Sequence, residues 1–117
     1  MSQNFKIGID IVSVEKFKKK EYSKNKTFYE RFFSTAEIKY CLKYKNPSER
    51  FAGKFALKEA LIKSLDEKIG FSEIETSHLN SKPLISIKQN NENYNFIASL
   101  SHENEFAVGV VISEKIK

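Results

Sequence analysis

The hydrophobic period of this chain changes near residue 70, and that change limits what it can fold into. Before it, apolar residues recur every three or four positions, as on a helix. After it they alternate, as on a strand. An N-terminal stretch departs from this division. In "NFKIGIDIV", Phe5, Ile7, Ile9 and Ile11 alternate with Lys6, Gly8 and Asp10, which predicts a strand with Asp10 near its end. One strand, several helices and then about four strands is the order of an α+β domain rather than of a doubly wound sheet. With 117 residues, the chain reads as a single domain over 1–117, and its ten Phe and five Tyr supply a core of adequate size.

Local signals divide the chain further. "SVEKFKKKEY" predicts a basic, partly amphipathic helix with Ser13 as candidate N-cap. "FYERFF" reads as a short helix. "STAEIKYCLKY" has Ser34 and Glu37 at capping-box spacing and predicts a helix to about Tyr44. "KNPSE" is a turn, and a long helix is expected from about Ser48 to Lys68, ending before Gly70. Beyond it, "FSEIETSHL" and "LISIKQ" are strands around the turn "NSKP", and "NNEN" reads as a hairpin turn into "YNFIASLS" and "EFAVGVVI". The last of these is apolar on both faces and belongs at the centre of a sheet or at a subunit contact.

A formal charge of +5 and a pI of about 9.2 favour anionic partners: phosphates, acidic proteins or nucleic acid. The single cysteine, Cys41, excludes an internal disulfide and a cysteine-based metal site, and suits a reduced, cytoplasmic setting. No run approaches the roughly 20 apolar residues of a membrane span, and no signal peptide is expected.

In "RFAGKFALKEALIKSL", helical spacing sets Glu59 on a sector with Ala52, Phe55 and Ile62, with Ala56 and Lys63 beside it. A buried, unpaired carboxylate would cost several kcal/mol, so Glu59 needs a partner, a cation or water. A pair with Lys63 at i, i+4 is the plainest answer, contributing about 0.2–0.5 kcal/mol. Arg50, Lys54 and Lys58 form a basic row on another side, either a solvated face or a phosphate-binding one. Asp10 either caps the following helix or serves a site, and Gly8 allows another backbone close approach. His102, between two predicted strands, is a surface residue or a site residue; His78 reads as structural. Two histidines and one cysteine make no zinc site, whereas two carboxylates with lysines nearby suit magnesium, which takes oxygen ligands and bridges to phosphate.

"IGIDIVSVEKF", "ERFFSTAEIKYC", "RFAGKFALKEALIKSL" and "IASLSHENEFAVGVVI" follow in that order. Together they resemble the holo-acyl-carrier-protein synthases, the short bacterial type of 4′-phosphopantetheinyl transferase, over roughly residues 5–113. The resemblance implies that family's α+β fold, assembled as a homotrimer with active sites between subunits. It implies transfer of the phosphopantetheine arm of coenzyme A to a serine of apo acyl carrier protein, in fatty acid biosynthesis, with release of adenosine 3′,5′-bisphosphate. By position it implies Asp10 and Glu59 as ligands of Mg2+, and Glu59, Lys63 and His102 as catalytic residues. Arg50, Lys54, Lys58, Lys63 and His102 fall on the coenzyme A side. Lys16, Lys19 and Lys20 fall on the carrier-docking side, and Lys18 extends that cluster. Glu59, acting directly or through a water, is the candidate base for the serine hydroxyl.

The chain departs from the family pattern in three ways. Lys54 stands where many relatives have Arg, Ser81 replaces a turn Gly, and the first helix carries Lys rather than Arg. A rival class is a small basic nucleic-acid-binding domain, which the charge and aromatics would suit, although no Gly-x-x-Gly clamp or aromatic RNP strand is present.

Overall fold

The structure is a computed structural model that describes residues 4–116. Strand β1 (Phe5–Ser13) is followed by four helices: α1 (Glu15–Lys18), α2 (Lys26–Phe32), α3 (Thr35–Leu42) and α4 (Pro47–Ser64). Strands β2 (Ile74–Leu79), β3 (Lys82–Ile87), β4 (Tyr94–His102) and β5 (Phe106–Lys115) complete the chain. The α+β class is as expected. The strands form two antiparallel sheets, a three-stranded one in the order β1-β5-β4 and the hairpin β2-β3. Strand β5 is central, as its two apolar faces require.

α4 is the axis of the molecule. From Phe51 to Lys58 every residue is buried. Its small residues meet the sheet at backbone contact. A Cβ on Gly8 would lie 1.9 Å from the Ala60 carbonyl oxygen, and one on Gly109 would lie 2.8 Å from the Ala56 carbonyl carbon. Gly8 therefore permits the close approach expected of it, and Asp10, two residues on, shares its helix-facing side of β1.

Aromatic residues of α1, α2 and α3 pack around the first half of α4. Phe17, Tyr29, Phe33 and Phe51 are buried together, and the rings of Tyr29 and Phe51 are 4.6 Å apart. A second core joins Leu57 and Leu61 to Ile74, Ile85, Ile87 and Val111. With these aromatics in the interior, no stacking platform is left from them for nucleic-acid bases, and the rival reading loses its main support.

Several boundaries differ from the sequence expectation. Ser13 remains in β1 and the cap of α1 is Val14, so the basic helix shrinks to one turn and Lys19 and Lys20 lie past it. α3 has the expected capping box, Ser34 accepting from Glu37 N and Glu37 from Ser34 N. α4 ends at Ser64 rather than Lys68 because Leu65 is extended, and the Ser64 carbonyl instead accepts from Ser113 Oγ at 2.9 Å. "NNEN" does not close a hairpin: Asn90 is left-handed at φ 59°, a 3₁₀ turn follows, and β3 and β4 belong to different sheets. The β2–β3 turn keeps left-handed geometry without glycine, Asn80 at φ 51° and Ser81 at φ 68°.

Candidate active site

Asp10 and Lys63, 53 residues apart in sequence, meet where β1 crosses the last turns of α4. The Lys63 ammonium donates to Asp10 Oδ1 at 2.9 Å and to the Ile9 carbonyl at 3.1 Å. The hydrogen bond to Asp10 raises the Lys63 pKa above its ordinary value, against slight desolvation, and the charges of Asp10 and Glu59 add to the rise. Glu59 is half-buried one turn earlier on α4. Lys63 is thus paired with Asp10 rather than with Glu59 through the expected i, i+4 bridge. Two carboxylates flank one ammonium. The Asp10 side chain is 13% exposed and that of Lys63 52%, so the group opens to solvent on the lysine side.

Two carboxylates, Asp10 and Glu59, are the oxygen donors here that could hold a magnesium ion. Among the described residues no cluster of three or more His, Cys, Asp or Glu side chains is present. Magnesium does not need one, since it is held by one or two carboxylates and completes its octahedron with water and substrate phosphate. Asp10 and Glu59 are the residues that would hold it.

His102 lies elsewhere. It pairs across the sheet with Ala107, as Val12 does, while Asp10 pairs with Gly109. Two strand spacings across and two residues along put the His102 and Asp10 backbones about 12 Å apart. Its Nδ1 is 3.1 Å from Glu49 Oε1, in the first turn of α4. His102 and Arg50 line a cavity of about 290 Å3 with Tyr40, Tyr44, His78 and Pro83. The Arg50 guanidinium lies 3.9 Å over the Tyr44 ring, and Tyr44 donates to the Tyr40 hydroxyl at 3.1 Å. Burial, with Tyr44 adding to it, pushes Tyr40 up to about 12. The His78 ring stacks on Tyr40 at 4.8 Å. Burial lowers its pKa, and the Lys54 and Arg50 charges lower it further. Sequence reading left His78 structural and passed over Tyr40 and Tyr44, although their i, i+4 spacing put both on one face of the helix expected to run to Tyr44; α3 itself ends at Leu42, and Tyr44 follows it.

Lys54 and Lys58 require a correction. They form neither a solvated row nor free phosphate ligands. Both are buried. Lys58 Nζ donates to Glu37 Oε1 at 2.7 Å and to the Phe32 carbonyl at 2.8 Å. Lys54 Nζ donates to Thr76 Oγ1 at 2.9 Å. The cause is geometric: α4 is enclosed on the side where α3 and β2 pack, so lysines there must find partners inside. Of the basic row only Arg50 faces the cavity. A cavity of about 610 Å3 is lined by Lys58 with Phe32, Ile38 and Phe71, and none of Asp10, Glu59 or Lys63 lines it. Lys16, Lys18, Lys19 and Lys20 are all exposed, Lys16 with its ammonium 4.1 Å over the Phe55 ring.

A model of the 4′-phosphopantetheinyl transferase superfamily matches residues 6–111. The chain belongs to that superfamily. Within the 4′-phosphopantetheinyl transferases, it is 38% identical over 110 residues to the holo-[acyl-carrier-protein] synthase of Mycoplasma capricolum, covering 92% of this chain and 93% of that one. It is 39% identical over 115 residues to the Helicobacter pylori protein of the same name, covering 91% and 94%. The crystal structure of the Helicobacter pylori synthase in complex with coenzyme A superposes with a TM-score of 0.77 at 38% identity, covering 92% of this chain and 99% of that one. That of the Bacillus anthracis synthase, in complex with CoA (3′,5′-ADP), gives 0.79 at 29% identity, covering 94% and 96%.

Proposed function

We propose that this chain transfers the 4′-phosphopantetheine arm of coenzyme A to a serine hydroxyl of apo acyl carrier protein and releases adenosine 3′,5′-bisphosphate. The observation that carries this reading is the contact of Asp10 with Lys63 beside Glu59, in a member of a transferase family whose relatives bear the synthase name. The serine oxygen attacks the phosphorus next to pantetheine. The bond from that phosphorus to the bridging oxygen breaks, and the bisphosphate leaves with the electron pair. Glu59 takes the serine proton. Lys63 faces the transferring phosphate, where its ammonium offsets developing negative charge. Arg50 and His102, which line one cavity near the other end of α4, take the nucleotide end of coenzyme A in this reading. Ten residues of helix between Glu49 and Glu59 span about 15 Å, a separation that an extended substrate bridges. Mg2+, held by Asp10 and Glu59, would supply neutralisation of the pyrophosphate charge.

The reading extends to the assembly. The sheet face turned away from α4 carries Phe5, Ile7, Ile9 and Ile11 on β1, with Val108, Val110 and Ile112 beside them on β5. Exposed apolar area of this kind marks an association surface, and a homotrimer is proposed to cover it. No helix among the described residues is long and apolar enough to cross a membrane. A cytoplasmic role in fatty acid biosynthesis is part of the proposal.

The test is incubation with coenzyme A, magnesium and apo carrier, read by intact mass. The carrier gains one phosphopantetheine, and a chelator prevents the gain. An unmodified carrier after prolonged incubation with stoichiometric enzyme overturns the reading; tight, salt-sensitive RNA binding in its place would favour the nucleic-acid rival.

A further inference from the structure

Lys58 precedes Glu59 in sequence, yet its side chain turns into the interior and ends on a carboxylate that the proposed chemistry does not use. Glu37 is 1% exposed. Its Oε1 accepts from Ser34 N at 2.8 Å and from Lys58 Nζ at 2.7 Å. Its Oε2 accepts from Thr76 N at 2.8 Å and Thr76 Oγ1 at 2.6 Å. One carboxylate thus ties the start of α3 to α4 and to β2. Lys54, one turn before Lys58, reaches the same Thr76 hydroxyl at 2.9 Å, so α4 is tied to this corner at two successive turns.

The sheet holds α4 from another side by a different means. Gly8 and Gly109 let its backbone press against β1 and β5, which fixes the distance between helix and sheet. Glycine and alanine surfaces are smooth and resist rotation about the helix axis poorly. The charged tie at Lys58 resists it well, because any turn stretches a buried ion pair. The side chains that rotation would misdirect are Glu59, next in sequence, and Lys63, which must meet Asp10.

We infer that Glu37 is a positioning residue for transfer: through Lys58 it fixes the rotational setting of α4 and hence the aim of Glu59 and Lys63 at Asp10. This rests on the transferase reading. A rotation of about 10° at the side-chain radius of roughly 5–6 Å moves a carboxylate about 1 Å, and a misplacement of that size can cost about 100-fold in rate. The loss belongs in kcat. The nucleotide end of coenzyme A is held at the other end of the helix, and its binding is spared.

Two variants test this, with rates expressed per folded molecule from circular dichroism. Glu37→Gln keeps an acceptor for Thr76 but leaves Lys58 without its counter-charge, with the Phe32 carbonyl still its partner. Combining Glu37→Gln with Lys58→Met also removes the buried cation while filling its volume, which protects folding should the single change fail. The expected result is a kcat lowered at least about tenfold in the folded variants, with KM for coenzyme A within about twofold of the parent. Parental kcat per folded molecule in the double variant overturns the inference, because the tie would then serve stability alone. A raised KM at unchanged kcat also overturns it, since Lys58 would then be acting as a coenzyme A ligand. A parent chain that transfers nothing brings down the transferase reading and this inference together, an outcome distinct from an active parent with unaffected variants.

Discussion

Glu59 has the most chemistry assigned to it and the least support from its own contacts, since Asp10 claims the nearby ammonium. That geometry leaves its carboxylate available for a proton or an ion. Glu59→Gln keeps the shape and removes the charge. Transfer should fall by about 10²–10⁴-fold, the range for losing a general base, with circular dichroism and melting temperature unchanged. Turnover near the parental rate would remove Glu59 from the mechanism. At this scale the sequence was partly legible. The sequence singled out Asp10, Glu59 and Lys63 as candidates, and the structure joins Asp10 to Lys63. Lys54 and Lys58 were misread because helical spacing reports which residues share a face, not what lies opposite that face. The partners that bury them, Glu37 and Thr76, come from α3 and β2, and no local pattern announces such a meeting. Ser81 taught a related lesson: the left-handed turn persists without glycine because Asn80 and Ser81 both adopt positive φ.

Between elements, the tie from α3 to α4 and β2 is also a statement about acid stability. Burial alone would raise the Glu37 pKa. The Lys58 charge and hydrogen bond, with those from Thr76 and Ser34, outweigh it and hold the value below the ordinary 4.5. A depressed carboxylate stabilises the fold above its unfolded value and loses that contribution as pH falls through its folded value. Urea midpoints should therefore decline as pH drops below about 4.5, and Glu37→Gln should flatten that decline while lowering stability at neutral pH by about 3–5 kcal/mol. An equally steep acid decline in the variant would place its origin elsewhere. α1 carries a second element-scale prediction. Its single turn presents Lys16 beside Phe55, near the aromatic core. Lys16→Glu should raise KM for an acidic carrier severalfold and lose the salt dependence of that step, with KM for coenzyme A unchanged. Equal changes in both constants would argue against docking. The sequence overstated α1 as a longer basic helix because lysine-rich stretches have good helix propensity. Pairing of β1 with β5 instead holds the chain extended through Ser13, where the helix was expected to begin.

The whole molecule is arranged around alternation in β1. Even positions Gly8, Asp10 and Val12 face α4, where the glycine sets the spacing and the aspartate meets Lys63. Odd positions face away, with Ile7, Ile9 and Ile11 at 66%, 59% and 63% exposure. The alternation was readable from the first residues, and so was the α+β order. The split into two sheets was not, because "NNEN" resembles a hairpin turn, whereas β3 pairs with β2 from Ile74↔Ile87 to Leu79↔Lys82 and the Lys88 amide extends that ladder to the Glu73 carbonyl. One strand therefore carries the site on one side and bare hydrocarbon on the other. Fully burying such isoleucines stabilises an assembly by about 1.5–3 kcal/mol each, so the proposed homotrimer has a sufficient driving force. Ile9 is the sharpest probe, since its carbonyl also receives Lys63. Ile9→Glu puts a like charge on every copy at the contact while leaving the β1–β5 ladder and the helix-facing residues in place. Sedimentation velocity should give a trimer for the parent and a monomer for the variant. Transfer should fall with assembly if neighbouring subunits complete the site. A parent that sediments as a monomer at micromolar concentration, yet transfers at full rate, would leave that isoleucine face without the role assigned to it.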